Sequence, residues 1–294
     1  MWLKQKIKEF IRKILAACLP VVRARDTSLE QALLVSHWRL MQCQLAPKDL
    51  PGLHQVGFKV FSQFEEDGLL LYIFSLIGTK NRRVVEVCAG DGKECMSANL
   101  IINHGWEGCL FDGNEESVNS GVAFYASHPR TWLHPPQFVH AWITRDNINS
   151  LLADRGFVGE IDLLSLDIDG NDYWIWKALH TVSPRVFICE TQNAVPHDKA
   201  VTQPYSEEFS LDAERYASGF FSASLAAMCK LGAEKGYRLI GVHRYGFNAI
   251  FMRNDVGIEY FPEISVESAL DNPYSRASRE AKWPKARAMP WVEV

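Results

Sequence analysis

The chain lacks several features that would assign it to a protein class at once. It has 294 residues and seven cysteines, an odd number without a CxxC pair, so a disulfide framework is not indicated. Cys88, Cys109 and Cys189 lie inside apolar runs, where a reduced cysteine behaves as a small hydrophobic residue. These features favour a reducing, cytoplasmic compartment.

An excess of basic residues is absent as well. The formal net charge is −4, which argues against a general nucleic-acid binder, because neutralising phosphates needs a basic face. Internal repeats and low-complexity tracts are also missing. Hydrophobic residues make up 47% and charged residues 22%, which are ordinary globular proportions. The length fits one large α/β domain with additions, or two small domains.

The first residues contain no long uncharged apolar run. Residues 1–19 place apolar side chains on one helical face, but lysines and arginines interrupt the sequence too often for a membrane span or a secretory signal. Two interpretations stay open. The segment is either a basic amphipathic helix that contacts a protein partner or the inner membrane surface, or an ordinary solvated helix that covers the domain.

The apolar pattern predicts three parts: an N-terminal helical extension (1–55), a catalytic domain (56–260) and an irregular C-terminal tail (261–294). Short apolar runs alternate with helical segments after residue 63, which is typical of a parallel sheet with crossover helices. The predicted strands are 83–88, 108–112, 137–143, 161–167 and 185–190, followed by a hairpin of 237–243 and 248–253. The predicted fold class is therefore α/β, a Rossmann-like sheet whose parallel strands end in an antiparallel hairpin.

A glycine-bearing turn follows the first predicted strand. Gly90 and Gly92 allow close approach of the backbone to a ligand, and the next helix directs free N–H groups towards the turn. A dinucleotide would suit this loop too. However, the third glycine of G-x-G-x-x-G is missing, and Glu86 is suited to pairing with a cationic amino-acid group. These details favour S-adenosylmethionine (SAM), with Ala89 as a further contact.

The second predicted strand ends in Asp112, followed by Gly113. A carboxylate at this position accepts two ribose hydroxyls. NAD enzymes use the same arrangement, so Asp112 indicates a nucleoside without deciding the chemistry. A solvated strand end is the simpler alternative.

Acidic and amide side chains follow the next two strands. Asp167 and Asp169 end one strand, and Glu190 and Asn193 end its neighbour. Oxygen ligands from adjacent strand ends suit Mg²⁺, Mn²⁺ or Ca²⁺. We predict a metal site formed by Asp167, Glu190 and Asn193. The alternative is that these groups cap a helix or bind substrate hydroxyls without a metal.

Several motifs together resemble those of FkbM-like and related class I SAM-dependent methyltransferases. The resemblance covers about residues 61–253 and is carried by the runs 62–68, 86–92, 166–174, 188–190, 222–225 and 246–249. It implies O-methylation of sugars in surface polysaccharides or glycosylated natural products, in some members with Mg²⁺ at the ends of the fourth and fifth strands. Cys88 departs from the pattern, because a glycine usually stands there; a cysteine is small enough for this turn if its φ stays negative.

The resemblance leads to a mechanism in which a methyl group passes from the sulfonium to a sugar hydroxyl. Asp169 or His197, with His243 as a third choice, would accept the hydroxyl proton. Gln63, Glu66 and Asp67 would line the methionine end of the cofactor, or alternatively cap a helix. Rival functions are a methyltransferase for proteins, lipids or small metabolites, an NAD(P)-dependent oxidoreductase, and a non-catalytic module. The sequence identifies neither the acceptor nor the oligomeric state.

Overall fold

A computed structural model describes residues 26–294. The predicted amphipathic helix at 1–19 lies outside the described residues. No helix between residues 26 and 294 is long and apolar enough to cross a membrane.

Nine strands form two sheets in this part of the chain. They are β1 (Arg83–Val87), β2 (Glu107–Asp112), β3 (Gln137–His140), β4 (Gly159–Leu166), β5 (Val182–Glu190), β6 (Val201–Thr202), β7 (Tyr237–Val242), β8 (Asn248–Arg253) and β9 (Val292–Glu293).

The larger sheet has seven strands in the order β3-β2-β1-β4-β5-β8-β7. Strands β1 to β5 pair in parallel, whereas β8 is antiparallel to β5 and β7 is antiparallel to β8. The predicted Rossmann-like sheet with a final antiparallel hairpin is thus confirmed. The strand order reverses between β1 and β4, and in open α/β sheets ligands bind beside the carboxyl ends of the strands at such a switch point.

Helices flank the sheet and cover both of its faces. They are α1 (Ser28–Gln44), α2 (Glu66–Ile77), α3 (Ala98–His104), α4 (Glu115–Ser127), α5 (Ile148–Asp154), α6 (Asp172–Ala178), α7 (Ala213–Ser218), α8 (Leu225–Lys235), α9 (Val266–Leu270) and α10 (Pro273–Ala286).

The core lies on both sides of the sheet because strand side chains alternate in direction. In β1, Val85 and Val87 belong to the cluster that includes the α6 and α8 side chains, whereas Val84 belongs to the opposite cluster with α2 and α3. Burial on both faces explains why the strands are nearly continuous apolar runs. Polar side chains are left for the strand ends, where the candidate site lies.

The prediction of an irregular tail is wrong. Residues 261–294 contain two helices, α9 and α10, and the strand β9, which pairs with β6. Pro273 stands in the first turn of α10, where a missing N–H costs no helical hydrogen bond, and Asn272 caps that helix by accepting from the Ser275 N–H. Pro284 lies inside α10, two residues before the helix ends at Ala286, and Pro290 follows the helix. The prolines that suggested irregularity therefore do not prevent a helix here.

Candidate functional site

The loop after β1 contains two glycines in the left-handed region, with φ of +57° at Gly90 and +67° at Gly92. A Cβ added to Gly90 would meet no atom of the described residues within 4 Å, so this backbone is open to a ligand. A Cβ added to Gly92 would lie 2.5 Å from the Phe138 ring. Packing inside the protein therefore requires Gly92, and Gly90 is the glycine placed to approach a cofactor.

Cys88 adopts a backbone conformation that the sequence did not indicate. Its φ is +63°, so the condition under which a cysteine fits this turn, a negative φ, is not met. The left-handed region brings the Cβ of an L-residue close to the following carbonyl oxygen, so the turn is strained. Surrounding protein atoms reduce the hydration of the Cys88 thiolate and raise the pKa of the thiol, and the nearby Asp112 and Asp167 raise it further, so the thiol stays protonated.

Glu86 is buried and binds the protein backbone. Its two carboxylate oxygens accept hydrogen bonds from the N–H groups of Met96 and Ser97, at 2.8 and 2.7 Å. Burial raises the pKa of Glu86, and these hydrogen bonds counteract that effect. Glu86 therefore holds β1 to the segment just before α3, and its pairing with a cationic cofactor group stays a prediction.

Asp67 has a comparable structural role. One carboxylate oxygen, Oδ2, accepts from the backbone N–H groups of Val60, Phe61 and Ser62 at 2.7 to 2.8 Å. These bonds tie Asp67 to the preceding loop. Its other oxygen, Oδ1, is buried without a hydrogen-bond partner among the described residues, so the cofactor contact of Asp67 stays a prediction. Gln63 lies in the same loop with an exposed side chain, and its part in cofactor binding stays a prediction.

Asp112 ends β2 directly beside the glycine loop. Its Oδ2 accepts from the Gly90 N–H and its Oδ1 from the Asn114 N–H, both at 2.8 Å. Ala89, which is buried, donates its own N–H to the carbonyl of Phe111 in β2. Each Asp112 oxygen retains a second lone pair, so the half-buried carboxylate can still accept ribose hydroxyls.

A cavity of about 60 Å³ lies beside Asp112 at the carboxyl ends of β1 to β4. Two aromatic rings, those of Trp142 and Phe209, form part of its wall. The lining residues are Cys88, Asp112, Gly113, Ala141, Trp142, Ile143, Ile168, Asn171 and Phe209. The cavity thus places one carboxylate next to apolar and aromatic walls. Since Ile168 and Asn171 also line the cavity, Asp112 and the loop after Asp167 open to the same side.

The carboxylate group of the site consists of Asp167, Asp169 and Glu190. One oxygen of each lies within 4.8 Å of the others. Burial raises the pKa of Asp167 and of Glu190 well above the usual carboxyl range, and mutual repulsion adds to the shift. The pKa of Asp169 is also raised by burial.

Asp172 lies behind this group and is fully buried. Its oxygens accept from the N–H groups of Ile168 and Gly170, each at 3.0 Å, so it shapes the loop that carries the carboxylates. Burial raises its pKa to about 7. The Ser222 hydroxyl lies 3.4 Å from an oxygen of Asp172 and 3.4 Å from an oxygen of Glu190, which links the two strand ends.

The three carboxylates have the chemistry of a divalent-cation site. Mg²⁺, Mn²⁺ and Ca²⁺ bind through hard oxygen ligands, and a cation would relieve the repulsion that raises the pKa values. The ligand set differs from the prediction in one member. Asp169 stands in the group beside the predicted Asp167 and Glu190. Asn193 donates its side-chain N–H to the Tyr245 carbonyl, and the use of its amide oxygen as a cation ligand stays a prediction.

The two histidines considered as bases lie in different environments. His197 is exposed and lines a separate cavity of about 510 Å³ with residues of α9 and α10, and the lining of this cavity includes none of the three carboxylates. His243 is buried, which lowers its pKa to about 3, and its Nδ1 accepts from the Asn248 N–H. These positions favour Asp169 over both histidines as the base.

The sequence did not single out some residues as members of the site. Ser222 is one: it belongs to a recognisable motif, and its positive φ of +54° marks a constrained position. Phe209 is another, and its ring packs against Gly170, where an added Cβ would lie 2.2 Å away. Phe209 comes from a segment without a recognisable motif, so only the tertiary structure brings it here.

Comparison with known proteins gives similar folds but no similar sequences. No model of a known protein family matches the chain, and no curated protein matches its sequence. Among solved structures, the magnesium protoporphyrin IX methyltransferase of Synechocystis PCC 6803 with bound SAM is 13% identical (76% of this chain, 79% of that chain, TM-score 0.36).

Two further structures are similar to the chain. The N-terminal domain of EvdMO1 with S-adenosylhomocysteine (SAH) bound is 14% identical (73% of this chain, 96% of that chain, TM-score 0.44). A SAM-dependent methyltransferase from Clostridium acetobutylicum ATCC 824 is 11% identical (85% and 99%, TM-score 0.35). The fold assignment itself rests on the strand order of the sheet.

Proposed function

We propose that the chain is a SAM-dependent O-methyltransferase that methylates a sugar hydroxyl of a polysaccharide or glycoconjugate with the help of a divalent cation. One observation carries the proposal. The cavity beside Asp112 and the group of Asp167, Asp169 and Glu190 lie together at the switch point of a Rossmann-like sheet. A nucleoside donor and a hydroxyl acceptor would meet between them.

On the donor side, Asp112 would accept the ribose hydroxyls, and Trp142 and Phe209 would contact the adenine ring. The open backbone at Gly90 would lie along the amino-acid part of the cofactor. SAM supplies an electrophilic methyl group when bound. The residues contribute by holding donor and acceptor in line, which accounts for most of the acceleration in such a transfer.

On the acceptor side, Asp167, Asp169 and Glu190 would hold the cation, which binds substrate oxygens and lowers the pKa of the attacking hydroxyl. Asp169 is the exposed member of the group, so it is the carboxylate most accessible to an acceptor hydroxyl as a base. It would receive the hydroxyl proton as the O–CH₃ bond forms and the S–CH₃ bond breaks. The products would be a methyl ether and SAH.

The test has two parts. Calorimetry with SAM and SAH measures cofactor binding, and we expect Asp112→Ala to weaken SAH binding about tenfold or more, as loss of charge-assisted hydrogen bonds to two hydroxyls would. Asp91→Ala is the matched control, because this aspartate of the same loop binds Lys93 at the surface. Failure of the wild-type chain to bind SAM or SAH at millimolar concentration would refute the proposal.

The second part is turnover of SAM with a panel of acceptors, with and without EDTA. We expect turnover with glycosides, loss of turnover with EDTA, and recovery with Mg²⁺ or Mn²⁺. Turnover that EDTA leaves unchanged would remove the cation from the proposal. Turnover with peptides, lipids or small metabolites but not with glycosides would favour the alternative acceptor classes.

A further inference from the structure

A group of buried polar atoms next to the carboxylates has no hydrogen-bond partners. Gln203 is 1% exposed, and neither its Oε1 nor its Nε2 has a partner within residues 26–294. The Nε2 of Gln192, which is 2% exposed, and the Oγ1 of the buried Thr202 are likewise unpaired in the described part of the chain. An amide with both ends unpaired is unusual in a folded protein, because burial without hydrogen bonds destabilises it.

These three residues surround one short segment of the chain. Gln203 donates its backbone N–H to the Ser222 carbonyl at 3.2 Å, and Gln192 donates its N–H to the Ala223 carbonyl at 2.7 Å. Thr202 forms an antiparallel bridge with Ala223. Ser222 in turn contacts Glu190 and Asp172, so the unpaired groups adjoin the carboxylate site.

The side chain of Gln203 reaches the carboxylate loop directly. A Cβ added to Gly170 would lie 2.7 Å from Gln203 Nε2. Gly170 follows Asp169 and donates its N–H to Asp172. The unpaired amide therefore faces the loop that carries two of the three proposed cation ligands.

The backbone around Gln203 is held firmly in place. The indole N–H of Trp174 donates to the Gln203 carbonyl at 2.9 Å, and the side chain of Asn171 donates to the Ser206 carbonyl at 2.7 Å. Both anchors come from the start of α6, directly after the carboxylate loop. A fixed backbone presents the unpaired amide in one orientation, which is what a binding group needs.

We propose that Gln203, assisted by Gln192 and Thr202, forms the acceptor subsite and determines the acceptor: a neutral compound with neighbouring hydroxyl groups. This inference rests on the proposed function. A primary amide offers one acceptor and two donor hydrogens, which match hydroxyl groups. With a divalent cation bound, the three carboxylates of Asp167, Asp169 and Glu190 still leave about one net negative charge, which disfavours an anionic acceptor group.

The unpaired amide would also make the site selective among acceptor compounds. A site that leaves buried polar groups unpaired without its substrate rejects analogues that lack the matching hydroxyl, because the amide then stays unpaired in the complex. Gln203 would thus select among hydroxylated acceptors, while the carboxylates would exclude phosphorylated or carboxylated ones.

The experiment compares Gln203→Leu with Gln31→Leu. Gln31 is the matched control because it is equally buried, at 2% exposure, but its amide is fully bonded, to Thr27, Asn99 and His104 on α1 and α3. Saturation-transfer NMR in the presence of SAH and Mg²⁺ measures binding of methyl α-D-glucopyranoside, methyl α-D-mannopyranoside, methyl α-L-rhamnopyranoside, myo-inositol and glucose 6-phosphate.

We expect at least one neutral probe to bind the wild-type chain, glucose 6-phosphate to bind more weakly, and Gln203→Leu to lose about tenfold or more of the neutral probe's affinity. SAH binding should be unchanged. The unfolding temperature of Gln203→Leu should rise, because the substitution removes an unpaired buried amide. The unfolding temperature of Gln31→Leu should fall, because the partners of the Gln31 amide lose their hydrogen bonds.

The outcomes separate the two proposals. If SAH binds but no neutral probe does, or if Gln203→Leu binds the probe as the wild type does, the acceptor subsite is refuted and the methyltransferase proposal stands. If SAH itself fails to bind, the proposed function is refuted. A fall in the unfolding temperature of Gln203→Leu would show that the amide has a stabilising structural role, which also contradicts the inference.

Discussion

Replacing Cys88 with glycine should stabilise the protein. Cys88 lies in the loop after β1 with φ of +63°. An L-residue in the left-handed region costs roughly 1–2 kcal/mol, and glycine adopts this conformation freely. The substitution therefore removes strain from the folded state.

The gain is partly offset in the unfolded state. Glycine makes the unfolded chain more flexible, which costs roughly 0.4–1 kcal/mol of stability. The Cys88 side chain is exposed, so its loss removes little packing. We expect a net gain of about 0.5–1 kcal/mol in the free energy of unfolding, which corresponds to about 1–3 °C in the unfolding temperature for a chain of this size.

Urea unfolding monitored by tryptophan fluorescence measures this difference. Cys88→Ala removes the thiol but keeps an L-residue with a positive φ, so its stability should match the wild type. Arg82→Gly tests the same effect outside the site, because Arg82 is exposed and has φ of +55°. If Cys88→Gly is no more stable than Cys88→Ala, the strain argument is wrong.

Three further predictions concern the buried carboxylates and the cavity wall. Glu86→Gln should lower the free energy of unfolding by roughly 1–3 kcal/mol, because an amide oxygen can accept only one of the two N–H bonds that Glu86 accepts. The control Glu94→Gln, at an exposed position, should have no effect. Urea unfolding of both variants measures the difference. The pKa of Asp172 is raised to about 7 in the folded state, so in the absence of added cations its contribution to stability should fall, by on the order of 4 kcal/mol, as pH rises from about 4 to about 7. Thermal unfolding across this pH range should therefore move in favour of Asp172→Asn relative to the wild type, whereas parallel pH profiles would contradict the assigned shift. Phe209→Ala should lower the free energy of unfolding, measured with urea, by roughly 3 kcal/mol, because the ring packs on Gly170. It should also weaken SAH binding, because the ring lines the cavity. Unchanged SAH affinity in calorimetry would show that Phe209 does not contact the nucleoside.

Much of the fold could be predicted because local patterns carry it. The strands at Arg83–Val87 and Val182–Glu190 each contain a short apolar run, and such runs separated by helical segments form parallel sheets. The meeting of Asp112 with the loop after Asp167 followed from this topology alone, since parallel strands place their carboxyl ends on one edge. The tail was mispredicted because its prolines were interpreted without their positions in a helix.

The partners of individual side chains could not be predicted in this way. Glu86 and Asp67 looked available for a ligand, but backbone N–H groups of neighbouring segments bind them, those of Met96 and Ser97 for Glu86 and those of Val60 to Ser62 for Asp67. Gln203 and Ser222 carry no signal of their own that indicates the carboxylate site. They reach it because the chain after β5 folds back over the carboxyl edge of the sheet.

The sequence by itself therefore determined the order of the elements, the burial of the sheet and the edge at which polar side chains collect. The periodicity of apolar residues and the polar residues at strand ends are local properties, because they depend only on residues that are consecutive in the chain. The tertiary structure alone decided which carboxylates bind backbone N–H groups, which stand together as Asp167, Asp169 and Glu190, and which amide is left unpaired beside them. Those outcomes depend on distances between segments far apart in the chain, and such distances exist only once the segments have packed.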